Sequence, residues 1–308
     1  YEQSGRRALI GSSMFSLKDR FGKPFVLGPT HEELFLMAAA SHVKSYKDLP
    51  FNLYQFQTKF RDEPRPRFGL IRVREFIMKD AYSFDKDLAG LDVSYQKMFD
   101  AYKASFDRMG LDYKIVRADT GVMGGLLSEE FQAVSEIGED KLVLCDTCDF
   151  ASNLEVSACV TVDEALEDFK PLEELYTPKV GKIKDLVDNY KIPETKMTKS
   201  MIYLIDKQPV LIMVRSDDEI NEVKLQKLFG ATSVELAPNE VDETITEARV
   251  GFAGPIKSKL KIVADHRIRS MSNFLVGANK TDYHLINANV GRDFTVHQFA
   301  DIRNIKPG

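Results

Sequence analysis

Two alternating runs predict a pair of strands in the first third of the chain. Residues 52–59 (NLYQFQTK) alternate polar and apolar side chains, which is the period-two pattern of a half-buried strand. Residues 70–84 alternate in the same way, and Pro64, Pro66 and Gly69 lie between the two runs. Because these three residues favour a loop, we predict two antiparallel strands joined by a longer connection.

A helical pattern follows these strands. Its apolar residues recur at steps of three and four, the spacing of a helix face that packs in a core: Leu91, Tyr95, Met98, Tyr102, Phe106 and Met109. Gly110 is placed to end this helix.

The second half of the chain has a different pattern. Residues 161–179 (TVDEALEDFKPLEELYTPK) are acidic and carry two prolines, which predicts a linker. Beyond them, helical and strand patterns alternate and predict an α/β unit. The helices are expected near 181–190, 219–229 and 239–248, and the strands at 201–216, 233–236, 260–264 and 283–287.

Composition narrows the class of protein. The 308 residues are 44% hydrophobic and 29% charged, which suits a globular protein of about two domains. A net charge of −5 restricts any nucleic-acid contact to local basic patches. We see no signal peptide and no run near the roughly 18 apolar residues of a membrane span, so we expect no membrane contact and a cytoplasmic location. The chain begins at Tyr1 without methionine, which suggests a fragment.

Five arginines fall between Arg61 and Arg74. In the predicted second strand, Arg72 and Arg74 share one face with Phe76 and Asp80. Guanidinium groups bind phosphate, an aromatic ring can stack on a base, and carboxylates can hold Mg²⁺ or accept from an amine. A solvated hairpin with scattered charge is the alternative. Burial of such a face without partners would be costly, so the pattern favours a nucleotide ligand.

A helix start follows LGP at residues 27–29. Thr30 and Glu33 have the spacing of a capping box before the apolar run LFLMAAA. This interpretation leaves Glu32 without an explanation. We assign no role to His31.

Three cysteines offer one CxxC pair, Cys145 and Cys148, with Cys159 further along. A structural zinc site needs four ligands, and no nearby histidine completes a set. We therefore interpret them as reduced thiols and predict no metal site.

In the α/β unit we find no catalytic nucleophile that has a general base at a recognisable spacing. Lys199 precedes an apolar strand, Asp265 follows one, and His284 lies near the start of another. From the residues alone, we interpret Lys199 as a solvated charge, Asp265 as a cap and His284 as a half-buried histidine. A site role for His284 stays open. Residues 251–255 (GFAGP) form a turn bounded by glycine and proline.

The chain resembles the class II aminoacyl-tRNA synthetases, and within them the bacterial-type prolyl-tRNA synthetases. FRDE at residues 60–63, followed by Arg72, Phe76 and Asp80, matches motif 2 of the class. The wider resemblance rests on LGPTHEE (27–33), KFRDEPRPRFGLIRVREFIMKDAYSFD (59–85) and EFQAVSEIGED (130–140).

The resemblance implies an α+β fold, with a partial class II antiparallel-sheet catalytic core and an inserted α/β editing domain. The implied domains are the core at 1–160, a linker at 161–179, the editing insertion at 180–300 and a return to the core at 301–308. It implies ATP-dependent activation of proline and its transfer to tRNA(Pro), with Mg²⁺ as cofactor and a homodimeric parent.

The resemblance also assigns roles in the core. Arg61 would bind the ATP α-phosphate and the prolyl carboxylate, and it is the residue we name as catalytic. Glu63 would contact the adenine amine, Arg72 the β- and γ-phosphates, and Phe76 the adenine ring. Thr30 and Glu32 would bind the proline nitrogen.

In the insertion the resemblance is to YbaK-like aminoacyl-tRNA deacylases. It implies an editing site at Lys199, Gly251 with Pro255, Asp265 and His284, which would hydrolyse alanine mischarged onto tRNA(Pro). A pocket built for proline rejects the smaller alanine only weakly, so a second, smaller pocket is needed.

Motif 1, motif 3 and the anticodon-binding domain of the class are not found in the sequence, so ligation by this piece alone is not expected. Two alternatives stay open. One is a stand-alone editing deacylase with a vestigial core, and the other is a non-catalytic synthetase-like protein that binds a small ligand. The retained set of Arg61, Glu63, Arg72, Phe76 and Glu32 argues against both, since a decayed site need not keep these residue types together.

Overall fold

The computed structural model describes residues 1–67, 69–121, 125, 127–138, 140–178, 180 and 182–306. The chain divides into two units, Tyr1–Ile115 with Thr120–Glu139, and Val116–Asp119 with Asp140–Gly308. Among the helices of the described residues, none is both long and apolar enough to cross a membrane.

The first unit is built around one long hairpin and one long helix. Its helices are α1 (Arg6–Ile10), α2 (Glu32–His42) and α3 (Leu88–Met109). Its strands are β1 (Ser16–Lys18), β2 (Pro24–Val26), β3 (Phe51–Phe60), β4 (Glu75–Phe84) and β6 (Glu129–Ala133), and β5 (Tyr113–Arg117) begins in this unit.

The predicted antiparallel strand pair is confirmed. Strands β3 and β4 pair from Phe51 opposite Phe84 to Phe60 opposite Glu75. The predicted start of the second strand at residue 70 is wrong, because the chain before Glu75 lies in the connecting loop, where Arg67 and Arg72 form an isolated bridge. Arg72 therefore lies before the strand face on which we expected it.

The predicted helix after the hairpin is also confirmed. Helix α3 ends at Met109, and Gly110 follows with a φ of 70°, a left-handed conformation that glycine adopts readily. From the predicted apolar face, Phe106 packs on Phe131 of β6 with ring centroids 5.5 Å apart. Leu91, Tyr95 and Met109 of the same face are exposed, so the prediction that this face packs in a core is wrong for these three residues.

The second unit carries most of the sheet structure. Its helices are α4 (Ile183–Tyr190), α5 (Glu222–Phe229) and α6 (Asn239–Thr246). After the end of β5, its strands are β7 (Leu142–Leu144), β8 (Ala151–Asn153), β9 (Glu173–Tyr176), β10 (Thr198–Ile205), β11 (Gln208–Arg215), β12 (Val234–Leu236), β13 (Lys261–Asp265), β14 (Phe274–Gly277), β15 (Tyr283–Ala288) and β16 (Gln298–Ala300).

Two sheets enclose the core of this unit. The larger has the order β12-β10-β11-β13-β16, with antiparallel β10 and β11 followed by parallel β13 and β16. The smaller is antiparallel, in the order β14-β15-β9. One core cluster joins Ile202 and Met213 of the larger sheet to Phe274 and Val276 of the smaller. Helices combined with small, mainly antiparallel sheets confirm the predicted α+β fold class.

Near its C-terminal end, the predicted linker contains a strand that we did not predict. Residues 173–176 form β9, which pairs antiparallel with β15 from Tyr176 opposite Tyr283 to Glu173 opposite Ile286. The acidic composition concealed this strand, because two of its four residues, Glu173 and Glu174, are charged.

The last described residues belong to the second unit. Residues 301–306, which we expect to return to the catalytic core, are grouped with this unit, which also contains residues 140–160 of the predicted core. Ile302 lies in a buried cluster of the unit, and the Arg303 guanidinium pairs with the Asp265 carboxylate at 2.5 Å. Buried packing and a buried charge pair therefore hold this segment on β13. The domain boundaries stay a prediction.

Candidate functional site

The predicted nucleotide residues of the first unit lie around the connection between β3 and β4. The Arg61 guanidinium lies over the Phe76 ring, with its Cζ 5.4 Å from the ring centroid. Its Nε donates to the Pro29 carbonyl oxygen at 3.4 Å. Arg61 thus connects the aromatic ring to the segment just before Thr30.

Two other arginines are held by Glu63. The Nε and Nη2 of Arg72 donate to Glu63 Oε2 at 3.0 and 2.8 Å. Arg74 Nε donates to the Glu63 carbonyl oxygen at 2.8 Å. An adenine amine at Glu63 would therefore have to share the carboxylate with Arg72.

A buried charge pair lies along the same hairpin. Lys59 has no exposed surface, and its Nζ lies 2.9 Å from Asp80 Oδ1. Tyr82 Oη and Gln55 Nε2 donate to Asp80 Oδ2 at 2.7 and 3.2 Å. Burial alone would raise the pKa of Asp80, but the hydrogen bonds from Tyr82, Lys59 and Gln55 outweigh it and hold the pKa below its usual value. The carboxylate is therefore kept ionised.

This pair reaches the segment of Thr30 and Glu32 through Gln55. Gln55 Nε2 lies 2.7 Å from His31 Nδ1. Burial and the nearby Lys59 charge lower the pKa of His31, which favours its neutral form. His31, to which our sequence analysis assigned no role, therefore anchors the predicted proline-binding segment to the hairpin.

The predicted capping box of Thr30 and Glu33 is wrong. Helix α2 begins at Glu32 with His31 as its N-cap, and the cap has no side-chain hydrogen bond. Glu33 instead accepts from Ser4 Oγ at 3.1 Å. The hydrogen-bond partner of Glu33 thus comes from the N-terminal segment, which local spacing cannot show.

The predicted proline-binding side chain Glu32 also has a partner. Its carboxylate pairs with the Arg6 guanidinium of α1. A bound ammonium or imino group at Glu32 would share this carboxylate with Arg6 or displace it.

A cavity of about 150 Å³ lies in the second unit. Helix α4 contributes Ile183 and Leu186 to its wall. Of the predicted editing residues, Lys199, Gly251 and His284 line this cavity. It is smaller than the roughly 300 Å³ or more of sites for drug-sized ligands, which suits a small acyl group.

Lys199 stands at the edge of the cavity with its ammonium held in place. Its Nζ donates to the Asp218 carbonyl oxygen at 2.8 Å and to Glu219 Oε1 at 3.1 Å. Its side chain is 23% exposed, so an anionic or carbonyl group of a ligand can reach it.

His284 is buried at the other side of the lining. Its Nδ1 lies 2.7 Å from Thr177 Oγ1, and its ring centroid lies 5.2 Å from that of Phe252. Burial lowers the pKa of His284 to about 4, so the ring is neutral near pH 7. Our sequence interpretation placed Thr177 in a linker and missed it. The only sequence feature that could have indicated a strand beside Thr177 is the apolar pair Leu175 and Tyr176.

The GFAGP loop is fixed against β14. A Cβ added to Gly254 would lie 1.8 Å from the Gly277 carbonyl oxygen, so only glycine fits this approach. Asn279 Nδ2 donates to the carbonyl oxygens of Gly254 and Ile256, each at 3.0 Å. The Gly254 N–H donates to Asn279 Oδ1 at 2.8 Å and is therefore not available to a ligand.

Two predicted editing residues do not line the cavity. Asp265 is fully buried in its ion pair with Arg303, and it accepts from the Arg267 N–H at 2.9 Å as the cap of a short 3₁₀ helix. Pro255 follows Gly254 and accepts from the Ser258 N–H at 3.2 Å. Their partners are not among the residues that line the cavity, and an editing role for either stays a prediction.

The cysteines form no large ligand cluster. Cys145 and Cys148 are exposed, and hydrogen bonds from Thr147 lower the pKa of the Cys145 thiol to about 7. Within the part of the chain that the structure describes, no three His, Cys, Asp or Glu side chains are placed to hold a metal ion.

Comparison with known families finds a match for each half of the chain. The family model for the tRNA synthetase class II core domain (G, H, P, S and T) matches residues 15–177. The chain belongs to this class II synthetase family. Residues 177–294 of this synthetase chain match the aminoacyl-tRNA editing domain.

Curated relatives are similar along the whole synthetase chain. A proline–tRNA ligase of Caldicellulosiruptor bescii is 52% identical over 99% of this chain and 53% of the relative. A proline–tRNA ligase of Thermoanaerobacter sp. (strain X514) is 50% identical over 100% of this chain and 55% of the relative. This chain thus spans about half the length of the curated relatives it matches.

The buried His284 predicts a pH dependence of stability. Its pKa is about 4 in the folded chain and about 6.5 in an unfolded one, so between these values the unfolded chain binds more protons. Above about pH 6.5, we expect the His284 contribution to the free energy of unfolding to be present in full. As the pH falls to about 4, loss of this contribution lowers the free energy of unfolding by about 3 kcal/mol.

The measurement is urea denaturation at about pH 7 and about pH 4.5, followed by circular dichroism, for the wild type and His284→Gln. The variant should lose less stability between the two pH values. An equal loss in both proteins would contradict a buried neutral His284.

Proposed function

We propose that this chain is part of a proline–tRNA ligase and that its first unit contributes to proline activation. The observation that carries the proposal is Arg61, which lies over Phe76 and bonds the Pro29 carbonyl beside Thr30. One guanidinium thus touches both the predicted adenine-stacking ring and the predicted proline-binding segment.

In the proposed reaction a proline carboxylate oxygen attacks the α-phosphorus of ATP and pyrophosphate leaves. The terminal hydroxyl of tRNA(Pro) then attacks the prolyl carbonyl carbon, and AMP leaves. No protein nucleophile is needed, so the protein acts by positioning and by charge stabilisation.

The residues divide these tasks. Arg61 holds the α-phosphate and the proline carboxylate, Arg72 the outer phosphates, and Phe76 the adenine ring. Glu63 accepts from the adenine amine while it orients Arg72. Thr30 and Glu32 bind the proline nitrogen.

Among the described residues, no three metal-binding side chains form a cluster. Mg²⁺ in nucleotide sites is usually bound through one or two carboxylates together with the substrate phosphates. Mg²⁺ remains a predicted cofactor, and none of the steps above passes through it.

We further propose that the second unit hydrolyses alanyl-tRNA(Pro). Water or the terminal ribose hydroxyl attacks the ester carbonyl carbon, the ester C–O bond breaks, and the tRNA hydroxyl leaves with a proton. Lys199 binds the terminal nucleotide, and the loop from Gly251 to Pro255 shapes the pocket. The neutral His284 positions the ester.

The small cavity supports this assignment. A site that admits alanyl and excludes the larger prolyl group corrects the weak discrimination, roughly 1–3 kcal/mol per methylene, of a proline pocket. A homodimeric parent and a cytoplasmic location remain predictions.

The first test uses the full-length protein that contains this chain. Arg61→Ala should lower proline-dependent ATP–pyrophosphate exchange by about 100-fold or more, since a donor aimed at developing charge contributes about that factor. Arg20→Ala, at an exposed turn, is the matched control and should keep the wild-type rate. Normal exchange in Arg61→Ala would refute the role of Arg61, and absence of exchange in the wild type would favour a deacylase with a vestigial core.

The second test uses the 308-residue chain with alanyl- and prolyl-tRNA(Pro). We expect hydrolysis of the alanyl ester only, reduced about tenfold or more in Lys199→Ala, because a hydrogen bond to a charged group is lost. Lys184→Ala, on the exposed side of α4, should behave as the wild type. Equal hydrolysis of both esters would refute size selection. A folded chain that binds a small ligand without either activity would favour the non-catalytic alternative.

A further inference from the structure

Ser200 has a hydroxyl oxygen that is buried and forms no hydrogen bond within the described part of the chain. The residue lines the cavity of the second unit, directly after Lys199. A buried hydroxyl without a partner lowers the stability of the fold. A residue of this kind in a cavity wall therefore calls for a partner that the protein itself does not supply.

The position of Ser200 in β10 fixes the side on which its hydroxyl lies. Side chains at every second position share a face of a strand, so Ser200 shares a face with Thr198 and Ile202. The Thr198 hydroxyl donates to the Leu275 carbonyl oxygen of β14 at 3.3 Å, and Ile202 packs with Phe274. The Ser200 side chain therefore faces β14, whose Leu275 also lines the cavity.

The other polar side chains of the lining are charged or already engaged. Lys182 and Lys199 line the cavity, and an ammonium group has donors only. His284 Nδ1 is bonded to Thr177, and the Thr198 hydroxyl is bonded to Leu275. Among the described lining side chains, Ser200 Oγ is thus a hydrogen-bond acceptor without a partner.

An alanyl ester brings one group that needs such an acceptor. Its α-ammonium carries three N–H donors and loses water when it enters a small cavity. The two lysines repel this cation, although Glu219 lies 3.1 Å from Lys199 and offsets part of that charge. The neutral Ser200 Oγ, which has no partner among the described residues, can accept from one of its N–H donors.

We propose that Ser200 Oγ accepts a hydrogen bond from the α-ammonium of the aminoacyl group and so positions the ester in the cavity. The assignment rests on the proposed deacylation of alanyl-tRNA by this unit. It names the amino group, rather than the ester or the ribose, as the part of the substrate that Ser200 recognises.

The test compares two esters of tRNA(Pro) with the 308-residue chain, alanyl and propionyl, which differ by the amino group. Ser200→Ala should lower kcat/KM for the alanyl ester by about tenfold or more, the loss expected for a hydrogen bond to a charged group. It should leave kcat/KM for the propionyl ester unchanged. Ser270→Ala is the control, because Ser270 bonds the Arg267 carbonyl oxygen and lies outside this lining.

Thermal unfolding separates this role from a structural one. Because Ser200 Oγ has no partner in the fold, Ser200→Ala should unfold at the wild-type temperature or above it. A lower unfolding temperature, an unchanged rate with the alanyl ester, or equal losses with both esters would each overturn the proposal. A wild-type chain that leaves alanyl-tRNA intact would instead refute the deacylase function itself, and the role of Ser200 with it.

Discussion

A close approach between two backbone segments, at Gly254 and Gly277, sets the cavity of the second unit. No side chain fits there, since a Cβ on Gly254 would lie 1.8 Å from the Gly277 carbonyl oxygen. Asn279 then bonds the 251–255 loop through both its amide nitrogen and its amide oxygen. The wall of the cavity is therefore held by backbone contact and hydrogen bonds. Selection by size depends on such a fixed wall, because a wall that gives way admits the larger group.

In the first unit the comparable constraint is electrostatic. Lys59 and Asp80 are both buried, and a buried charge is stable only when paired and hydrogen-bonded. Gln55 connects this pair to His31, next to the predicted proline-binding residues. The hairpin thus does more than carry arginines toward a nucleotide. Its buried end also holds the adjoining segment in position.

Local patterns were sufficient for some of this architecture. Alternation found both strands of the hairpin, and Gly110 ended the long helix as expected, because both signals come from neighbouring residues. The contacts that define the second site are far apart in the chain. Thr177 lies 107 residues from His284, and Arg303 lies 38 from Asp265. Spacing along a sequence does not show such pairs. The acidic texture around β9 concealed a strand for a related reason, since its pairing partner lies in β15.

The most direct test of the account measures the affinity of the second unit for substrate analogues that it cannot hydrolyse. Isothermal titration of the 308-residue chain with the non-hydrolysable amide analogues of 3′-alanyl- and 3′-prolyl-adenosine compares the two acyl groups in one cavity. The account predicts that the alanyl analogue binds at least about tenfold more tightly, since a fixed wall shaped for the smaller acyl group would have to move to admit the pyrrolidine ring of proline. Equal affinity for the two analogues, or tighter binding of the prolyl one, would contradict the claim that this unit selects the smaller residue.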